Sequence, residues 1–311
     1  MGAGLDFIGD VHGKADLLEA LLSRLGYRET RGAWRHPSRT AVFVGDLIDR
    51  GPQQLKTVEM VRRMHGEGAA LCALGNHEHN AIGWVTPDQH RLGQFLRAHT
   101  APQRKQHQAF LAEAAADPKG AQCAREWFAT LPVLLEVGGV RVAHACWDER
   151  HAPVILAAQG DRGHFDEQAM LESLTPGTPL FVACEIATKG PEVKLPEHLA
   201  YEDLYGKTRS EVRWAWWRPH TDLSECALPM PGLEIDRLRG LPVPEQARPA
   251  VCARTLHFFG HYWMRGRPRT LAPNVASVDY QVEGAPVLTA YRWEGEQQLK
   301  DSAFVQVGQG C

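Results

Sequence analysis

The chain has 311 residues, with 34 Lys and Arg against 37 Asp and Glu for a formal charge of −3, and is 44 % hydrophobic and 23 % charged. That is the composition of a soluble globular protein, which excludes disorder, collagen-like fibre and coiled coil. The slightly acidic balance excludes general nucleic-acid binding through a basic surface, and no apolar run approaches the ~20 residues of a membrane helix.

The opening MGAGLDFIGDVHG turns polar and acidic at once, unlike a secretory signal, and Asp6 stands where a myristoylation signal has Ser or Thr. Residues 5–9 (LDFIG) predict a buried strand ending at Asp10. Residues 16–26 carry Leu at helical spacing, with Asp16 and Glu19 as a capping box and Gly26 as the C-terminal cap. A second strand over 41–45 (AVFVG) ends at Asp46. A helix from about 53 to 65 and a third strand, 69–74, follow, the strand ending in Gly75-Asn76-His77. This strand, polar loop, helix rhythm predicts an α/β sheet with its chemistry at strand ends. Residues 79–131 read as mostly helical and polar without an evident task. Residues 133–144 predict a hairpin turning at Gly138-Gly139, and 149–215 are weakly periodic. Further strands are expected over 255–260, 274–280 and 286–293. With no repeat or long linker, one domain spanning 1–311 is expected, with insertions at about 79–131 and 149–215. The seven Cys (72, 123, 146, 184, 226, 252 and 311) form no CxxC pair, consistent with reduced thiols in a cytoplasm.

Five polar clusters close strand-like runs: Gly9–Gly13, Gly45–Pro52, Gly75–Glu78, His144 and His261. Carboxylate, imidazole and amide oxygen together suit a pair of divalent ions such as Mn, Fe, Zn or Ni, whereas a thiolate site needs paired Cys. Asp10 and His12, two apart, project to one side of an extended backbone and can grip one ion. Asp46 has two oxygens with which to bridge two ions, and Asn76, His144 and His261 can complete the second. Arg50 is placed to fork onto phosphate oxygens. His77 is placed to protonate a leaving oxygen if Asp49 or another carboxylate orients it.

The set GDVHG, GDLIDRGP and GNHE, followed by separated His144 and His261, resembles the calcineurin-like metallophosphoesterases. Within them it is most similar to the phosphoprotein phosphatase branch, which also holds bacterial Ser/Thr phosphatases and diadenosine tetraphosphatase-like enzymes. The resemblance is densest over residues 9–78 and looser in the tail VDYQVEGAPVLTAYRWEG. It implies an α/β fold, a β-sandwich flanked by helices with the metal site at strand ends. It implies that Asp10, His12 and Asp46 bind one metal, and Asp46, Asn76, His144 and His261 the other. It further implies that Arg50 clamps phosphate and that His77 with Asp49 forms the acid pair. The chain departs from the branch at Cys146, where His-Ala-Gly is usual, and at Tyr262-Trp263 after His261, for which His257 and His220 are rival ligands.

Each reading has a plainer alternative: a salt bridge to Asp49 for Arg50, and a histidine capped by Glu78 for His77. The stretch Arg213–Pro219 (RWAWWRP) is either a platform that stacks a base and steadies phosphate, with Arg213 and Asn76 touching substrate, or a core segment with its arginines paired to acids. Lys189-Gly190-Pro191 is either a lid turn with a phosphate-reaching Lys or a surface turn. Cys146 is a redox-sensitive thiol or an inert buried one, and His65, His90, His99 and His107 read as solvated or packed. Together these features predict a cytoplasmic phosphoesterase using two divalent ions, with Mn first in line. It would hydrolyse phosphate esters with metal-activated hydroxide, most simply as a Ser/Thr phosphatase-like phosphomonoesterase acting on a phosphorylated substrate. The alternatives are a phosphohydrolase of dinucleoside polyphosphates or nucleic-acid ends, and a non-catalytic metal-containing binding protein.

Overall fold

The computed structural model describes residues 4–203, 208–281 and 285–308. The Met-Gly start, Cys311 and residues 282–284 of the tail lie outside the described residues. Nine strands form two facing sheets. We label them β1 (Gly4–Ile8), β2 (Arg39–Phe43), β3 (Ala70–Cys72), β4 (Leu134–Val137), β5 (Val140–Ala143), β6 (Leu256–Phe259), β7 (Val275–Ser277), β8 (Val287–Trp293) and β9 (Phe304–Gly308). One sheet has the order β9-β8-β1-β2-β3 and the other β7-β6-β5-β4. Strands β1, β2 and β3 run parallel to one another, as do β5, β6 and β7, while β8, β9 and the β4–β5 hairpin add antiparallel pairs.

The strands read as continuous apolar runs because both faces are covered. Leu5 and Phe7 of β1, together with Val42 and Val44, face the second sheet and meet Val140, Val142, Leu256 and Phe258. Ile8, Ala41 and Phe43, one residue out of phase, face the helices instead. The rings of Phe7 and Phe258 stack across the sandwich at 3.8 Å. Asp6, on the outer face of β1, is fully buried, and Arg39 Nε donates to it at 2.9 Å with Tyr27 Oη at 3.0 Å.

Helix α1 (Ala15–Leu25) buries Leu18, Leu21, Leu22 and Leu25 and ends at Gly26, whose φ of 91° lets its N–H close onto Leu22 and Ser23. The expected capping box does not form. Lys14 occupies the N-cap position, and Asp16 sits inside the first turn, where it pairs with Lys56 at 2.7 Å. Helix α2 (Gln54–Gly66) follows β2, and the expected helical stretch resolves into α3 (Asn76–Val85), α4 (Ala101–Gln106), α5 (Gln108–Ala116) and α6 (Pro118–Phe128). The Gly138-Gly139 turn has φ of 60° and 78°, the left-handed pair that only glycine adopts freely. Among its described residues the weakly periodic 149–215 contains three α-helices, α7 (Ala152–Gln159), α8 (Glu167–Leu174) and α9 (Pro179–Lys189), then an antiparallel pair of Glu192–Lys194 with Glu211–Arg213. Among the elements without a sequence expectation are a short hairpin over 28–35, the helical turn Leu223–Cys226, the short strand Met264–Arg265 and the edge strand β9. Among the described residues no helix is long and apolar enough to cross a membrane.

Strands β1, β2, β3, β5 and β6 all end at the same edge of the sandwich, and each is followed by one of the five polar clusters.

Candidate metal centre

The clusters converge on Asp46. Its Oδ2 lies 3.8 Å from His12 Nε2, 3.7 Å from His77 Nε2 and 3.2 Å from His144 Nε2. His12 Nε2 is also 3.9 Å from Asp10 Oδ2. Asn76 Oδ1 sits 3.1 Å from His144 Nε2 and 2.9 Å from His261 Nδ1. All six expected ligands are thus brought together and buried. Of the rivals, His220 pairs with Glu225 at 3.1 Å, and His257 turns its Nε2 to the Cys252 carbonyl, so neither joins.

Two further features fit this pocket to cations. His12 Nδ1 donates to the Ile48 carbonyl at 2.8 Å and His144 Nδ1 to that of Val44 at 2.9 Å, which fixes each ring with Nε2 facing Asp46. The Nε2 atoms of His12 and His261 are buried with no hydrogen-bond partner among the described residues, a costly arrangement unless an electron acceptor comes to them. Ligand atoms of His12, Asp46 and His77, and those of Asp46, His144 and His261, each lie within 4.8 Å of one another. An all-oxygen-and-nitrogen set shared around one carboxylate suits two borderline divalent ions.

The backbone is bent to make this convergence. His12 (φ 48°), Asp46 (53°), Asp49 (70°), Arg50 (71°) and His261 (69°) are all left-handed without being glycine. The extended-backbone argument for Asp10 and His12 is therefore corrected: His12 reaches the site through a turn, not a strand. Glu78, fully buried, holds the bent loop from beneath. Its Oε2 accepts the N–H of Asp46 (2.8 Å) and Gly75 (3.1 Å), and its Oε1 those of Leu47 (2.8 Å) and Ile48 (3.2 Å). It is thus a strut between two motifs, not a cap for His77.

Electrostatics reflect the crowding. Burial, then Asp279, pushes the Asp10 carboxyl well up. Burial alone would raise Asp46, but His144, His77 and His12 outweigh it and hold the group well below the ordinary carboxylate range. Burial opposes protonation of His144, yet Asp46 and Asp10 lift it to about 10. Burial, then Arg213, holds His261 well down. Burial, then Asp46, raises Glu78 to about 7.

Beside the convergence lies a buried triad. His77 Nδ1 is 2.5 Å from Asp49 Oδ2, and His107 Nδ1 reaches the same carboxylate at 2.9 and 3.0 Å. Against the penalty of burial, His107 and His77 hold Asp49 down to about 2. The sequence reading grouped His107 with the solvated or packed histidines. It lies between α4 and α5, packed against Trp84 and Phe110, and no motif spacing marks it.

Arg50 does not pair with Asp49. Its guanidinium carbon sits 3.7 Å from the Trp263 ring centroid. Asp279, which sequence reasoning passed over within the tail, is buried and accepts the Trp263 N–H at 2.7 Å. Arg213 pairs with Glu192 at 3.3 Å and is close enough to His261 to depress it. The base-stacking reading of 214–217 is overturned: Trp214, Trp216 and Trp217 are all buried in a core with Phe259 and Tyr262. The lid reading of Lys189 fails as well, since it pairs with Glu185 one turn back on α9. Cys146 is buried, and burial followed by Asp148 pushes its thiol well up, the profile of an inert cysteine.

The two-sheet sandwich thus carries, at its strand ends, an oxygen-and-nitrogen cluster gathered around one carboxylate. The model of the calcineurin-like phosphoesterase family matches residues 5–183, and the chain belongs to that family. Over 73 residues it is 47 % identical to the bis(5'-nucleosyl)-tetraphosphatase PrpE [asymmetrical] of Halalkalibacterium halodurans, covering 23 % of this chain and 30 % of that protein. Over 74 residues it is 45 % identical to the protein of the same name from Oceanobacillus iheyensis, covering 24 % and 30 %. The chain thus spans under a third of the length of these curated relatives. Among solved structures it is similar to the cold-active protein-tyrosine phosphatase of a Shewanella species (TM-score 0.49, 15 % identity, 95 % of this chain and 80 % of that one). It is also similar to a protein serine/threonine phosphatase from Saccharomyces cerevisiae (TM-score 0.48, 12 % identity, 98 % and 79 %).

Proposed function

We propose that this phosphoesterase is a dinuclear phosphomonoesterase of the Ser/Thr phosphatase type, working in a cytoplasm as one domain with insertions at about 79–131 and 149–215. The observation that carries the reading is the approach of three imidazoles to the single Asp46 oxygen, between 3.2 and 3.8 Å. Asp10, His12 and Asp46 would hold one ion, and Asp46, Asn76, His144 and His261 the other, with Mn the first choice. Ions bound there supply an activated water and neutralise phosphate charge.

The chain's own residues do the rest. Arg50 presents its N–H edge to phosphate oxygens, with Asn76 and Arg213 at the margin of the same site. His77 carries on Nε2 the proton that the leaving oxygen takes up. Asp49, kept ionised, holds the Nδ1–H and so fixes which nitrogen faces the substrate. This intact acid pair argues against a non-catalytic binding protein. A second reading, hydrolysis of dinucleoside polyphosphates, is favoured by the names of the curated relatives over the motif-bearing segment.

The test is a panel in which stripped protein receives Mn, Zn, Fe or Mg. Each form is assayed on an aryl phosphate, a phosphothreonine peptide, an aryl phosphodiester and a dinucleoside tetraphosphate. Mn-dependent turnover of the phosphopeptide, lost in Asp46→Asn with the fold retained, supports the first reading, and preference for the dinucleotide moves it to the second. Silence on every substrate with every metal refutes both.

A further inference from the structure

Trp263, two residues after His261, has its consequence at Arg50. Among the described residues no carboxylate lies within 4.0 Å of the Arg50 guanidinium, and its close partner is the Trp263 ring, at 3.7 Å. Trp263 is 45 % exposed and has φ of 51°, an outlier for so bulky a side chain. Asp279 holds the strained segment at two points: the Trp263 N–H donates to its Oδ2 at 2.7 Å and the Met264 N–H to its carbonyl at 2.9 Å, where Met264–Arg265 pairs with Tyr280–Gln281. Strain of this kind persists only where the surroundings enforce it, and it concentrates at ligand clamps.

An aromatic partner suits an anion-binding arginine better than a carboxylate does. An acid would neutralise the guanidinium and compete with phosphate for its N–H groups. A ring holds the guanidinium by its flat face and leaves the in-plane N–H edges free. We propose that Trp263 is the positioning residue of the phosphate clamp. It holds Arg50 over the metal centre without occupying the donors that take phosphate. The inference rests on the phosphoesterase reading and on Arg50 as the clamp.

The experiment uses Mn-loaded full-length protein, with calorimetric binding of inorganic phosphate beside KM and kcat on an aryl phosphate. Trp263→Ala is expected to weaken phosphate binding and raise KM together, by about three- to tenfold. Trp263→Phe and Trp263→Tyr should stay close to wild type, while Trp263→Leu behaves like Trp263→Ala. In an Arg50→Ala background, Trp263→Ala should cause no further weakening. If Trp263→Ala does not fold, the Phe and Leu variants carry the comparison. Phosphate affinity unchanged without the ring, Leu serving as well as Phe, or an equal loss in the Arg50→Ala background would each overturn the proposal. A wild-type protein that binds no phosphate and turns over no ester refutes the phosphoesterase reading itself. Wild-type binding and turnover with indifferent Trp263 variants refutes only the role of Trp263.

Discussion

Asp49 offers the sharpest test of the chemistry beside the metal centre. It is 2 % exposed, and its carboxylate serves both His77 and His107. Moving its pKa from 3.8 to about 2 makes the folded protein favour the anion. At about 1.4 kcal/mol per pKa unit, this amounts to roughly 2.5 kcal/mol of stability, with little solvent screening to discount. Asp49→Asn imitates the protonated group and should be less stable than wild type by about that amount at neutral pH. Because the folded pKa is depressed, the stabilisation is present in full above the unfolded value and is lost as pH falls through the folded one. The gap between wild type and Asp49→Asn should therefore close between about pH 4 and pH 2, read by denaturant titration at each pH on stripped protein. A gap that stays constant across that window, or is absent at pH 7, refutes the assignment. Turnover should fall too, by about a hundredfold or more, since the His77 ring loses the group that fixes its tautomer.

The remaining predictions concern the groups around this one. His107→Ala should slow hydrolysis of an alkyl phosphate more than that of a p-nitrophenyl ester, because a poor leaving group depends more on a well-held acid. Equal losses on both esters would leave His107 a packing residue. Glu78→Ala strips acceptors from four buried N–H groups, so a loss of at least about 4 kcal/mol and poor metal retention are expected, checked by denaturation and elemental analysis. Asp279 is raised to about 6 by burial, against the Trp263 N–H and Arg50, which lower it. Its contribution to the stability of stripped protein should be complete below about pH 4 and decline as pH rises through 6. Adding Mn should flatten that decline, since a nearby cation favours the anion, and thermal melts with and without metal measure it.

The sequence by itself determined which polar residues gather and the strand ends at which they stand. A strand buried on both faces is mostly apolar, and a charge inside it needs a partner, as Asp6 has in Arg39, so a cluster of polar residues such as Asp10, Asp46 and Asn76 marks where the runs stop. Runs of Leu at helical spacing, and glycine at Gly26 and Gly138-Gly139, are local physics and were read correctly along the chain. What lies between distant segments was not legible. His107 reaches Asp49 across 58 residues and Glu78 reaches Asp46 across 32, and neither contact leaves a spacing in the sequence. Trp214–Trp217 reads equally well as a platform or a core, because an aromatic run carries no record of what covers it. The left-handed turns at His12, Asp46, Asp49 and His261 run against residue preference and exist because buried acceptors hold them. Of the three candidate histidines, tertiary structure alone singles out His261: the end of β6 carries it to Asn76, while His220 pairs with Glu225 and His257 turns to the Cys252 carbonyl.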